Sequence, residues 1–350
     1  TIVGFDRSAQ HGDILIQKGA IDRFAPTARE AVSGADIVLL AVPLGSYQTV
    51  MRSCADALLP TAIVTDVGSV KQTMLALKPL LPTGVELVPG HPISGSERTG
   101  PDAARLDLYK DKLCVLTPEE GTDPRAVAII RTLWEMTGAI VREMPAGVHD
   151  QLYAYVSHLP HVIAFVSARA FYRLQLQSLS AEEDAALARY LRISRSDPRM
   201  WTDVFIENRD SLLQGLAMYL AVLTHMAEEL RSGEAGAEAE RLEVAKTALP
   251  RLLASALIST VSLYEQQSNL NVRAFGAGGL RDIASPAAET PEEATAYISH
   301  HAAIVAGLLE ETLALFAPLK DAIEAADAEA LHALLNEMQA EAVAIHRPKQ

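Results

Sequence analysis

The sequence has few cysteines, few aromatic residues and no long uninterrupted apolar segment. Its 350 residues include two cysteines, Cys54 and Cys114, which are too few for a disulfide framework and favour a reducing compartment such as the cytoplasm. No apolar run reaches the roughly 18 residues that a membrane span needs, and no secretory signal is visible, so we expect no membrane partner. No spacing of Cys, His and carboxylates resembles a metal site.

The sequence also has fewer basic than acidic residues. The 44 acidic residues outnumber the 30 basic ones and give a formal net charge of −14 at pH 7. Such a surface repels the phosphate backbone, which argues against a nucleic-acid partner. An anionic small molecule remains possible, because a pocket can be locally basic in an acidic protein.

The first part of the chain alternates between short β-rich segments and helical ones. Thr1–Phe5, Asp36–Pro43 and Ile63–Thr65 have the β-branched and apolar composition of buried parallel strands. This β-α alternation predicts a parallel sheet with right-handed connections, and hence a Rossmann-like α/β domain in residues 1–144. The remainder, 145–350, is rich in Ala, Leu and Glu and contains no convincing strand, so an all-α second domain is predicted.

Two loops follow neighbouring strand segments and carry the candidate chemistry. Ser69 and Lys71 follow one strand, and His91 follows the next across a Pro-Gly pair. Parallel neighbours would deliver all three side chains to the carboxyl edge of one sheet, where open α/β folds bind ligands. A neutral imidazole there can accept a proton near pH 7. The ordinary alternative is a loop histidine held between two prolines.

An acidic residue at the end of the first strand indicates a dinucleotide. The carboxylate of Asp6 suits the ribose hydroxyls of NAD and would repel the 2′-phosphate of NADP, although Arg7 could bind that phosphate. The glycine-rich phosphate turn is expected about 20 residues before this position, upstream of Thr1. Either the first β-α unit is missing from this sequence or the site is incomplete, and the residues leave both options open.

The helical half offers histidines and an arginine. His158 and His161 are three residues apart, so both can face the same cleft. Arg192 precedes Pro198, which ends one helix and opens the next, and its guanidinium could bind a carboxylate through two hydrogen bonds. Core histidines and a solvated arginine cluster are the ordinary alternatives.

Five motifs occurring in order resemble the prephenate/arogenate (cyclohexadienyl) dehydrogenase family of tyrosine biosynthesis. The resemblance runs from Thr1 to about Asp210. The motifs are A-V-P at 41–43, D-V-G-S-V-K at 66–71, G-H-P-I-S-G-S at 90–96, S-H-L-P-H at 157–161 and R-I-S-R-S-D-P-R-M-W at 192–201.

By position, the resemblance implies a role for each matching residue. His91 would accept the hydroxyl proton of the substrate, with Ser69 beside it and Lys71 near the ring carboxylate or the cofactor. The substrate pocket would be formed by His158, His161, Arg192 and Trp201, with Trp201 coming from the helical domain of this chain or of a partner subunit. The cofactor would lie against Asp6, Arg7, Ala41, Val42, Pro43, Asp66 and Gly68.

The activity that the resemblance implies is oxidation and decarboxylation of prephenate to 4-hydroxyphenylpyruvate with NAD⁺, in a homodimer formed by the helical domain. Three readings compete with it. The substrate could be arogenate or 4-amino-4-deoxyprephenate, the enzyme could be a related β-hydroxyacid dehydrogenase, or the chain could be a catalytically silent binding protein without the phosphate turn.

One family motif is displaced. In the family, a glycine-rich G-G-F-(K/R)-D segment often precedes the arginine that binds the substrate carboxylate, called here the clamp arginine and matched by Arg192. In this chain an ordinary helical stretch takes its place, and a similar segment, G-A-G-G-L-R-D-I, occurs later, at Gly276–Ile283. The apolar pattern of 185–246 recurs in 278–343, with a constant offset along the chain between corresponding apolar positions. This recurrence raises the hypothesis of a degenerate duplication; coincidence between two Leu- and Ala-rich helices is the alternative. Arg281 is the second choice for the clamp.

Overall fold

The computed structural model describes residues 1–94, 100–174, 191–231, 238–276, 278–284 and 291–345. They divide into two compact units, Thr1–Asp150 and Gln151–Gln350. The first unit includes Asp150, which hydrogen-bonds to the backbone of Lys71 and Gln72. The domain boundary at 144 stays a prediction.

The first unit is a Rossmann-like α/β fold, as predicted. Its strands are β1 (Val3–Gly4), β2 (Arg23–Phe24), β3 (Ile37–Leu40), β4 (Ile63–Asp66), β5 (Glu86–Leu87), β6 (Gly90–Pro92), β7 (Leu113–Leu116) and β8 (Ile140–Glu143). Its helices are α1 (Ala9–Gln17), α2 (Ala28–Val32), α3 (Tyr47–Cys54), α4 (Lys71–Leu75) and α5 (Pro124–Met136). Helix α6 (Ala146–Tyr153) starts in this unit.

The strands of the described residues form three hydrogen-bonded sheets. β1 pairs with β2, and β3–β4–β5 follow in that order, all of them parallel. β7 pairs with β6 antiparallel and with β8 parallel. All four residues of β4 are buried, as expected for a parallel strand covered on both faces.

The sheet is interrupted between β1 and β3, which are not hydrogen-bonded to each other in the described part of the chain. In a doubly wound sheet of order 3-2-1-4-5-6, this is the position of the first strand. Ile2, next to β1, and Leu39 on β3 are exposed apolar residues.

One hydrophobic core lies between β4, the β7–β8 pair and α5. Both cysteines are buried in this unit, Cys54 at the end of α3 and Cys114 in β7. The core residues are Ile63, Val88, Cys114, Leu116, Ala126, Ile130, Trp134, Ala139 and Val141.

The second unit is helical throughout its described residues, as predicted. After a π-helical turn at Ala154–His158, its helices are α7 (Leu159–Arg173), α8 (Pro198–Glu207), α9 (Arg209–Glu229), α10 (Glu238–Ser268), α11 (Gly278–Ala284), α12 (Pro291–His300), α13 (Ala302–Glu324) and α14 (Ala328–Ile345). Helix α7 is buried from Leu159 to Phe171 and packs against α13 and α14, so it is the central helix of this unit.

Two helices are long and apolar enough to cross a membrane by length and composition, namely Val244–Ser268 of α10 and the whole of α13. Neither helix contains an uninterrupted apolar run of the length expected for a membrane span, so the sequence pattern did not reveal them. Both helices pack against α9 and against each other. A core helix of a globular unit has the same apolar composition, so packing within the unit accounts for it.

Candidate active site

The parallel pairing of β4 with β5 confirms the expected arrangement of the two loops. Val64 lies opposite Leu87, so both strands end at the same edge of the sheet. His91 itself is not a loop residue as predicted, because it lies in the short strand β6 opposite Val115. This strand fixes the backbone on both sides of the imidazole.

A buried ion pair joins the two strand ends. Lys71 Nζ donates to both carboxylate oxygens of Asp66, at 2.7 and 2.6 Å, and to the carbonyl oxygen of Gly90, at 2.6 Å. Both side chains are 0% exposed. The backbone N–H groups of Gly68 and Gly90 and the hydroxyl of Tyr47 donate to the same carboxylate. The residue immediately before His91 is therefore tied to the end of β4.

These contacts change the roles expected for Lys71, Asp66 and Gly68. Lys71 was predicted to lie near substrate or cofactor, but its three N–H groups are used inside the protein. Burial lowers the pKa of Lys71 from its usual value, and the charge of Asp66 acts against that effect. Asp66 and Gly68 were predicted to contact the cofactor, but the carboxylate is fully buried and the Gly68 N–H binds it. All three support the loop.

Gly68 is required at its position by packing. A Cβ atom there would lie 2.5 Å from the hydroxyl oxygen of Tyr47 and 2.6 Å from Leu44 Cδ2. Burial and the neighbouring Asp66 raise the pKa of Tyr47 well above its usual value, so its hydroxyl remains a donor. Ser69 follows directly and is half-buried.

His91 is the first of three hydrogen-bonded side chains, of which sequence reasoning missed the other two. His91 Nδ1 lies 2.9 Å from His149 Nε2, and His149 Nδ1 lies 2.7 Å from Asp150 Oδ1. The oxygens of Asp150 accept the backbone N–H groups of Lys71 and Gln72 at the start of α4, at 2.7 and 2.9 Å. Burial, with a smaller contribution from the charge of Lys71, lowers the pKa of His149 well below its usual value. Burial thus favours the neutral form of the His149 ring.

The residues at the ends of β1 and β3 fit the ribose side of a dinucleotide. Asp6 Oδ1 accepts the backbone N–H of Ser8 at 2.7 Å and lies 3.1 Å from His11 Nδ1, which orients a half-exposed carboxylate just beyond β1. Arg7 is exposed beside it. Ala41, Val42 and Pro43 form the turn after β3 and are exposed or half-buried. Asp6 thus presents an oriented acceptor suited to ribose hydroxyls.

In the second unit, three predicted pocket residues lie together: His158 from the π-helical turn, His161 from α7 and Trp201 from α8. The imidazole of His161 stacks on the indole of Trp201, with ring centroids 3.5 Å apart, and the ring of His158 lies edge-on to the same indole at 6.1 Å. Asn208, which sequence reasoning missed, lies 3.0 Å from His158 Nδ1 through its amide nitrogen. The amide donates there, which leaves the His158 proton on Nε2.

Acid should destabilise the helical unit through His161. Burial is the main cause that lowers the pKa of His161 to about 3; the charge of Arg192 adds to it, and the hydrogen bond to the Ser157 carbonyl opposes it. The unfolded chain takes up this proton near pH 6.5 and the folded chain only near pH 3. The stability from His161 is therefore complete above about pH 6.5 and falls by up to roughly 1.4 kcal/mol per pH unit below it.

Urea unfolding followed by Trp fluorescence between about pH 7 and pH 4 measures this slope. His161→Gln should flatten it, whereas His225→Gln should not, because His225 is exposed on α9. Equal slopes in the wild type and in His161→Gln would contradict the assignment.

The side chain of Arg192 is hydrogen-bonded to a residue of the displaced glycine-rich segment. Its Nε and Nη2 atoms donate to one oxygen of Asp282, at 2.9 and 2.7 Å, and Asp282 belongs to α11. The guanidinium is about half exposed. The two halves of the motif, 90 residues apart in the chain, therefore lie together within the helical unit.

Arg281, the second choice for the clamp, lies elsewhere on α11. It lines a cavity of about 540 Å³ together with Arg273, Gly276, Leu280, Ile258 and Val261. The proposed duplication stays a prediction, although α9 and α13, its two main helices, are both present and pack against each other. Residues 185–190, 232–237 and 285–290 of that pattern lie outside the described residues.

Comparisons with known proteins identify both units. Residues 1–143 match the family model described as the nucleotide-binding domain of prephenate dehydrogenase, and residues 145–244 match its dimerization domain. A cyclohexadienyl dehydrogenase of Zymomonas mobilis is 35% identical over 60% of this chain and 73% of its own length. A prephenate dehydrogenase of Bacillus subtilis is 31% identical over 61% of this chain and 58% of its own length.

A solved structure agrees with this result. Prephenate dehydrogenase from Aquifex aeolicus, crystallised with hydroxyphenyl propionate and NAD⁺, has a TM-score of 0.58 and 28% identity to this chain. The match covers 65% of this chain and 80% of the Aquifex chain.

Proposed function

The chain belongs to the prephenate dehydrogenase family, and we propose that it oxidises and decarboxylates prephenate to 4-hydroxyphenylpyruvate. As a member of the family it is an NAD-dependent oxidoreductase. The observation that carries the proposal is the imidazole of His91, held in a strand at the ligand-binding edge of the sheet and hydrogen-bonded to His149. A base in a fixed position is what removal of a hydroxyl proton during hydride transfer requires.

In this mechanism, His91 takes the proton of the C4 hydroxyl as the C4–H bond breaks. Bound NAD⁺ supplies the hydride acceptor. The ring carboxylate then leaves as CO₂, its bonding electron pair enters the ring, and the oxygen regains a proton to give the phenol. Aromatisation supplies the driving force, so the chain has to orient the substrate, accept a proton and bind the carboxylates.

We assign the binding of the cofactor and the substrate to the remaining predicted residues. Asp6 would bind the ribose, and Ala41, Val42 and Pro43 would line the dinucleotide. His158, His161 and Trp201 would form the substrate pocket, with Arg192 on a carboxylate. Lys71, Asp66 and Gly68 would hold the loop that carries Ser69 next to Gly90. The helical unit would form the interface of a homodimer in the cytoplasm.

Loss of Arg192 should weaken substrate binding more than turnover. A charge-assisted hydrogen bond contributes about 1.5–3 kcal/mol, so Arg192→Ala should raise KM for prephenate roughly 10–100-fold with a smaller change in kcat. Steady-state kinetics measure this effect. Arg281→Ala is the matched control and should leave KM unchanged; the reverse result would move the carboxylate clamp to Arg281.

The substrate test compares prephenate, arogenate and 4-amino-4-deoxyprephenate with NAD⁺, following absorbance of NADH. Highest kcat/KM with prephenate supports the proposal, and preference for another ring reassigns the substrate. Absence of turnover with all three, combined with absence of NAD⁺ binding in a titration, would favour the silent binding protein instead.

A further inference from the structure

Asp150 is fixed as a hydrogen-bond acceptor. Its carboxylate is 4% exposed and receives two backbone N–H groups from the first turn of α4. Backbone donors stabilise the ionised form of a carboxylate, which has no proton to give. The 2.7 Å contact with His149 Nδ1 therefore requires that His149 carries its hydrogen on Nδ1.

The protonation of His149 determines that of His91. A neutral imidazole with hydrogen on Nδ1 has only a lone pair on Nε2, and burial favours this neutral form because it lowers the pKa of the His149 ring. His149 Nε2 lies 2.9 Å from His91 Nδ1. This contact is a hydrogen bond only if His91 donates from Nδ1, so neutral His91 has its acceptor lone pair on Nε2.

We propose that His149 and Asp150 are positioning residues that hold His91 in the tautomer whose Nε2 accepts the substrate's hydroxyl proton. The inference rests on the proposed function for the identity of that proton, but the tautomer itself is a property of the chain without substrate. The path runs from the start of α4 through Asp150 and His149 to β6. It explains why two side chains that sequence reasoning missed are buried behind the base.

The tautomer can be observed directly. In protein labelled with ¹⁵N-histidine, two-bond ¹H–¹⁵N spectra distinguish a protonated ring nitrogen from an unprotonated one, and comparison with His91→Asn assigns the His91 signals. We expect a protonated Nδ1 and an unprotonated Nε2 above the pH at which the ring is charged. The opposite pattern, or an average of both tautomers, would overturn the proposal.

Kinetics of two His149 variants separate positioning from structural support. His149→Phe keeps a ring of similar size but has no acceptor, so kcat should fall about 10–100-fold with KM unchanged, as is typical when a residue that orients an imidazole is lost. His149→Gln keeps a carbonyl oxygen that can accept from His91 Nδ1 and should recover most of kcat. Equal kcat in both variants would show that the acceptor does not matter.

The outcomes distinguish this inference from the proposed function. Wild-type chain that shows the expected ¹⁵N pattern but no turnover would overturn the prephenate activity and leave the tautomer assignment in place. Normal turnover with the opposite ¹⁵N pattern would overturn the tautomer assignment and leave the prephenate activity in place. If His149→Phe does not fold, the wild-type spectrum and His149→Gln still decide the matter.

Discussion

Replacing His91 by Asn should lower kcat/KM for prephenate by about 10²–10⁴-fold, which is the usual contribution of a general base. An asparagine amide can occupy the position of Nδ1 and still donate to His149, which lies 2.9 Å away in the wild type. It has no group at the position of Nε2, so the proton acceptor alone is removed. The loss should therefore appear in kcat.

Initial rates of NADH formation measure the effect, and the affinity for NAD⁺ together with the thermal midpoint serve as controls. Both controls should match the wild type, because His91 is only half-buried and the Asn amide still donates a hydrogen bond to His149. A variant with near-normal turnover would remove His91 from the mechanism.

Replacing Lys71 by Met should cost about 3–5 kcal/mol of stability, because it leaves a buried carboxylate without its cation. Asp66 is 0% exposed and its oxygens accept four groups, of which the ammonium is the only charged one. The ammonium also binds the Gly90 carbonyl, so the segment before His91 should loosen and activity should fall together with stability.

Urea unfolding of the first unit, followed by circular dichroism, measures the loss. The double variant Lys71→Met with Asp66→Asn is the matched control, because it removes both charges and keeps an acceptor for Tyr47 and Gly68. It should be more stable than Lys71→Met alone, and adding the single variant Asp66→Asn and the wild type completes a double-mutant cycle that gives the coupling energy between the two residues. A double variant no more stable than Lys71→Met would show that the charge on Asp66 is not what destabilises it.

The features that follow from local pattern were predictable from the sequence. β-branched composition identified β4, the β-α alternation gave its parallel pairing with β5, and Pro198 marked the start of α8. The predicted pocket residues of the helical half, His158, His161 and Trp201, do lie against one another.

The features that depend on distant partners were not predictable. Lys71 follows a Gly-Ser loop and resembles a solvent-exposed residue, because nothing local reveals that Asp66 is buried opposite it. Asp150 is 79 residues from Lys71, and Asp282 is 90 residues from Arg192. A hydrogen bond across such a distance depends on how the elements pack, which has no periodic signal in the sequence.

The location of the two thiols makes them reporters of one unit. Cys54 and Cys114 are the only cysteines of the chain and both lie buried in the first unit. Burial raises the pKa of both thiols, that of Cys114 to about 12, so neither forms the reactive thiolate at neutral pH. Alkylation of the native protein therefore proceeds only when this unit opens. The rate of alkylation measures transient opening of the nucleotide-binding unit, and the helical unit contributes no signal.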